Sequence, residues 1–164
     1  MVTVRVLLID DDALVRAGLR MILSSAEDLE VVGEVAGVRV YDDFAHHPTA
    51  IATTLAGLRA KVGQARILVA LEPRSNSMRL GAHADGLAPS LAAADSVVFL
   101  HRPELPWDAK RVTDALQGRG AAVPTVDALV SALRTQARAG DHVVFMSNGG
   151  FENAPRRFVE ALRG

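Results

Sequence analysis

The chain has 164 residues, with 18 basic against 19 acidic side chains and a formal net charge of −1. Its length fits one domain with a real core, and no global field draws it to nucleic acid or to an anionic membrane. Cysteine is absent, which excludes disulfide frameworks and thiol chemistry and agrees with a reducing cytoplasm. The opening MVTVRVLLIDDD lacks the pattern of a signal peptide, and no uncharged apolar run approaches the ~20 residues of a bilayer span, so a soluble protein is expected.

Val4 to Ile9 reads as a buried strand delivering Asp10, Asp11 and Asp12 at its carboxyl end. Leu14, Val15, Leu19, Ile22 and Leu23 recur at helical spacing, with Asp12 placed as N-cap. Leu29 to Val35 is a second strand, and Ala36-Gly37 separates it from Val38 to Tyr41 by two residues, the spacing of a tight hairpin. Pro48 opens a helix with an apolar stripe of Ile51, Leu55, Leu58 and Val62. Ile67 to Leu71 is the next strand, left through the polar loop Glu72 to Ser77. Leu80 to Ala94 is predicted to be largely helical, with Pro89 near a start or break, and Ser96 to Leu100 a strand. The spacing then predicts a helix over Trp107–Leu116, a short strand over Ala121–Pro124 and an amphipathic helix over Val126–Arg138. Val143 to Met146 is the last strand, and Ser147 to Phe151 turns into a helix from about Ala154 to Leu162. The alternation implies a three-layer α/β/α fold, a mainly parallel doubly wound sheet of Rossmann-like or flavodoxin-like type with an antiparallel hairpin strand near residues 30–42.

Two family resemblances overlay this pattern. VRVLLIDDDALVRAGLRMILSSAEDLEVVGEV, within about the first 35 residues, resembles the receiver domain of response regulators. The resemblance implies that acids at Asp10 and Asp11 help hold a magnesium ion beside a phosphate-accepting aspartate, yet no later segment offers that aspartate in a matching context. From about Glu34, GVRVYDDFAHHPTAIATTLAGLRAKVGQARILVALEPRSNSMRLG and HVVFMSNGGF resemble the carboxyl-terminal domain of a Mur ligase, nearest in type to murein peptide ligase. That resemblance implies nucleotide contacts at Asp43, His46 and His47. It also implies a peptide side formed by Glu72, Arg74, Ser75, Asn76 and Arg79 together with Ser147, Asn148, Gly149 and Gly150, continuing to Phe151.

No GxxxxGK[ST] pattern occurs in the chain, so the backbone cradle that such a loop gives to phosphates is missing. The expectation is a single fused domain, with residues 1–36 a receiver-like fragment and 37–164 a Mur ligase fragment. Such a chain reads as an engineered chimera, a cytoplasmic protein with no catalytic residues, no evolved activity and no resident cofactor. The alternatives are a binding module that keeps weak affinity for a murein peptide, a nucleotide or an anion, and a phosphoacceptor receiver. A monomer, or a homodimer formed adventitiously through an open sheet edge, is expected. Asp10 and Asp11 read first as a solvated strand end, with weak binding of a divalent cation such as Mg²⁺ as the functional alternative. A cluster joining Asp10 to Asp42, Asp43 and His46 is disfavoured, because the hairpin sends Asp43 to the opposite edge of the sheet. The adjacent His46 and His47 read as nucleotide contacts and not as a metal site. His83 and His101 read as ordinary surface histidines, and Trp107 as a packed aromatic.

Overall fold

The computed structural model describes residues 30–74 and 84–164. The expected first strand and helix, Asp10, Asp11, Ser75, Asn76, Arg79 and His83 therefore lie outside the described residues.

Six strands form one sheet in the order β1-β2-β6-β3-β4-β5. They are β1 (Glu30–Val35), β2 (Val38–Asp43), β3 (Ile67–Leu71), β4 (Ser96–Leu100), β5 (Gly120–Val123) and β6 (His142–Met146). β1 pairs antiparallel with β2 as the two-residue spacing predicts, and every other pair is parallel. The turn places Ala36 at φ 53° and Gly37 at φ 74°, the left-handed pair that matches strand twist in a two-residue hairpin.

Both faces of the sheet are covered, which explains strands that read as continuous apolar runs instead of alternating ones. On one face lie α1 (Pro48–Val62), α2 (Ala84–Ser90) and α3 (Lys110–Ala115). Ile51, Leu55, Leu58, Leu87, Val112 and Leu116 pack there on Ile67, Val69, Phe99 and Val144. On the other face α4 (Val126–Gln136) and α5 (Ala154–Arg163) set Leu129, Leu133, Phe158 and Val159 against Leu68, Val98, Val143 and Phe145. Full burial of a Leu, Ile or Phe side chain contributes about 1.5–3 kcal/mol. Three such residues on α1 outweigh the weak helix propensity of its threonines and Gly57.

Helix ends follow local chemistry. Thr125 caps α4, its hydroxyl accepting from the Ala128 amide at 3.2 Å. α1 starts at Pro48, and Gly63 at φ 61° ends it. The helix expected over Trp107–Leu116 begins only at Lys110, because Leu105, Pro106 and Trp107 form an irregular approach whose indole packs on the core. The one expected over Val126–Arg138 stops at Gln136, where Ala137 turns extended. In the segment expected to be helical from Leu80 to Ala94, α2 ends at Ser90 and residues 91–93 form a turn. No helix among the described residues is long and apolar enough to cross a membrane.

Candidate binding cleft at the carboxyl edge

Helices following β2, β3 and β4 cover one face, whereas those following β5 and β6 cover the other. Loops leaving the adjacent strands β3 and β6 therefore part in opposite directions, and open α/β sheets bind ligands in the crevice this leaves at the carboxyl ends. The ladder runs past the strands here. The Ser147 amide donates to the Asp43 carbonyl at 3.1 Å, and the Glu72 amide to the Met146 carbonyl at 3.0 Å. Asp43, Ser147 and Glu72 thus stand side by side along the edge, each buried.

Glu72 is the centre of this edge. Its side chain is 6% exposed, and a carboxylate so placed must be hydrogen-bonded to remain charged without a large penalty. The Ser147 hydroxyl donates to Oε2 at 2.6 Å and Arg102 Nη2 to Oε1 at 3.4 Å. Ser147 Oγ in turn accepts from the Gly149 amide at 3.1 Å, so one hydroxyl links the carboxylate to the loop after β6.

Gly149 is required by a side chain. A Cβ there would lie 2.5 Å from Cδ and Nε of Arg74, so the absence of a side chain lets the Arg74 stem cross the loop. Glu72, Pro73, Arg74, Leu100, Arg102, Glu104 and Leu105 line a cleft of about 300 Å³. Two guanidinium groups and two carboxylates around an apolar floor suit a ligand carrying both carboxylate and ammonium groups.

Arg102 has a second partner, Glu152, whose Oε1 accepts from Nη2 at 2.5 Å. That hydrogen bond raises the Arg102 pKa above its usual value, against the opposing effect of burial. Glu152 is presented by an unusual turn. Phe151, Glu152 and Asn153 take φ of 46°, 46° and 60° in succession, left-handed backbone that costs L-residues roughly 1–2 kcal/mol each. The turn is held at both ends: Phe151 is buried against Phe145 with ring centroids 5.8 Å apart, and Ala154 and Pro155 are buried beyond it. The sequence-based reading of Ser147–Phe151 as a tight strand-to-helix connection is met, but by non-glycine residues past the glycines.

Of the remaining candidates, Asp43 Oδ1 accepts from the Ala45 amide at 2.6 Å. His46 Nδ1 lies 2.9 Å from the Phe44 carbonyl, and its ring meets the exposed Phe44 edge-on at 5.3 Å. His47 Nδ1 accepts from the Thr49 amide at the start of α1. The two histidines thus take separate local partners, and among the described residues no group of three or more His, Asp or Glu could hold a metal ion. Asn148 Oδ1 is buried without a hydrogen-bond partner. His101 differs from the expected surface histidine: half-buried, its Nε2 lies 2.6 Å from the Trp107 carbonyl and its ring meets the indole edge-on. Arg102, Glu104 and Glu152 escaped sequence reasoning, although Arg102 and Glu104 follow β4 directly and could have been found by treating every strand's carboxyl end alike.

Residues 29–149 match the family described as Mur ligase, glutamate ligase domain. The chain belongs to the Mur ligase family. The match starts ahead of the junction expected near Glu34. This Mur ligase domain is 46% identical over 141 residues to the UDP-N-acetylmuramate--L-alanyl-gamma-D-glutamyl-meso-2,6-diaminoheptandioate ligase of Escherichia coli K12, a match covering 85% of the chain and 31% of that relative. The counterpart of the same name in Haemophilus influenzae is 43% identical, with 30% of its length covered. The chain therefore spans about a third of the length of these curated relatives. A crystallised domain from the corresponding ligase of Haemophilus ducreyi superposes with a TM-score of 0.71 at 45% identity, covering 82% of this chain and 98% of that one. Murein peptide ligase from Psychrobacter arcticus gives a TM-score of 0.73 at 41% identity, covering 81% of this chain and 29% of that one.

Proposed function

We propose that the chain is a peptide-binding module that takes a murein tripeptide of the type L-alanyl-γ-D-glutamyl-meso-diaminoheptanedioate at the carboxyl edge of its sheet. The observation carrying this reading is the cleft between the segments after β3 and β4, where Arg74 and Arg102 face Glu72 and Glu104. Such a peptide carries several carboxylates and amino groups. Guanidinium forks grip the former in two places, and the acids receive the latter. Similarity to relatives named for a ligase acting on this peptide supports the choice. Asp43 at the end of β2, with His46 and His47 on the loop after it, would form a separate nucleotide side.

On this reading the chain binds without turning over nucleotide, since it lacks a phosphate-cradling glycine loop. Isothermal titration with the tripeptide tests the proposal: saturable heat is expected, reduced in Arg74→Ala. No heat at millimolar peptide, or phosphate release from ATP that follows the purified chain, would remove it.

A second proposal concerns origin. The family match begins at residue 29, overlapping the end of the receiver-like stretch that runs to Val35, so we infer two parents joined inside an α/β sheet, as in an engineered fusion. A continuous native gene encoding the same 164 residues would refute that.

A further inference from the structure

We propose that Arg102 is a carboxylate-binding residue of the cleft whose place is held by Glu152, so that a ligand carboxylate docks by exchanging with the Glu152 carboxylate. This rests on the peptide-binding reading above, which names the ligand but assigns no role to Glu152.

Four observations point the same way. Arg102 lines the cleft beside Arg74, yet its shortest hydrogen bond goes to a carboxylate from the strained turn after β6 and not to a cleft residue. Glu72 does not depend on Arg102 alone, because the Ser147 hydroxyl already donates to it at 2.6 Å. Glu152 can leave cheaply: its side chain is 51% exposed, so release into water adds little desolvation. It also has a second cation to fall back on, Arg157 Nη1 at 4.0 Å from Oε2. Finally, three consecutive left-handed residues with no glycine among them place Glu152 opposite Arg102, and backbone strain kept in this way clusters at ligand-handling positions.

The rival role for Glu152 is to orient Arg102 for its ligand. The two roles predict opposite signs. Removing a competitor tightens carboxylate binding, whereas removing an orienting partner weakens it.

The test uses glutarate, a simple dicarboxylate, alongside the tripeptide. Both are titrated into the full chain, Glu152→Gln, Glu152→Gly and the double variant Glu152→Gln/Arg102→Gln, with circular dichroism checking the fold. Glycine suits the left-handed position, so that variant removes the carboxylate without threatening the turn. Both single variants are expected to bind glutarate about two- to fivefold more tightly than the parent chain, the scale of one partly exposed ion pair, and the double variant should lose that gain. Equal or weaker glutarate binding by both single variants, including none by any chain, overturns the exchange. Tighter glutarate binding with no tripeptide binding anywhere leaves the exchange standing and removes the peptide reading. Tripeptide binding without the glutarate gain does the reverse.

Discussion

The Ser147 hydroxyl is a small group with a large responsibility, because it supplies the short hydrogen bond to a carboxylate buried at the head of the cleft. Ser147→Ala leaves Glu72 with Arg102 at 3.4 Å and is expected to destabilise by about 1–3 kcal/mol, the cost of a buried acceptor that loses its donor. Urea unfolding measures it, and a change below a few tenths would mean that water replaces the hydroxyl. At the opposite end of the sheet Tyr41 and His142 share a 2.7 Å hydrogen bond. Burial, helped by Arg39, lowers the His142 pKa from 6.5 to about 4, while burial raises that of Tyr41 to about 12. Between pH 6.5 and 4 the unfolded chain takes up a proton at His142 that the folded chain refuses, so stability falls as pH drops through that window. For Tyr41 the folded state keeps its proton while the unfolded state loses it, so stability falls as pH climbs from 10 toward 12. A plateau between about pH 6.5 and 10 is expected in urea midpoints. The acid-side slope should flatten in His142→Gln, and an unchanged slope would assign it to other groups.

Two adjacent residues of the β1–β2 turn should respond with opposite signs. Ala36 holds φ 53° at a steric cost that glycine would not bear, so Ala36→Gly is expected to leave stability unchanged or raise it by up to about 1 kcal/mol. Gly37 is also left-handed, and a Cβ there would sit 3.0 Å from the Ala139 Cβ, so Gly37→Ala should cost about 1–3 kcal/mol. Equal thermal midpoints for the two variants would mean that the turn is not the left-handed pair described. This turn was legible in the sequence because alanine-glycine between two β-branched runs leaves few connections of that length. The strands Ile67–Leu71 and Ser96–Leu100 were legible to the residue, since doubly covered strands read as unbroken apolar runs bounded by polar residues. The Phe151–Asn153 turn was not: its left-handed backbone is imposed by packing of Phe151 and Pro155 on either side, and nothing local to Phe-Glu-Asn demands it. Nor was the clamp formed by Arg59, which donates to the carbonyls of Gly63, Ala65 and Ala93 and to Asp95. That set joins α1 to the approaches of β3 and β4, residues far apart in sequence. In the candidate site, Glu72, Arg74 and Ser147 to Gly150 were visible as polar loops at strand ends, and Arg102 stands at such an end too, whereas its pairing with Glu152 needed the tertiary structure to bring the segment after β4 and the β6 loop together.

All six described strands and both helical layers lie within residues 30–164, and the superposable Haemophilus ducreyi domain is covered over 98% of its own length. A chain shortened by its first 28 residues is therefore expected to retain a single cooperative unfolding transition in urea, followed by circular dichroism. Loss of that transition would make the amino-terminal piece part of the nucleus that the sheet needs. The denaturant slope carries separate information, because it scales with the surface exposed on unfolding. If residues 1–28 share one fused core with the rest of the chain, removing them lowers the slope as well as the midpoint. If the first piece makes no packed contribution, the midpoint and slope of the shortened chain coincide with those of the full one, and the single fused domain expected from the sequence is refuted.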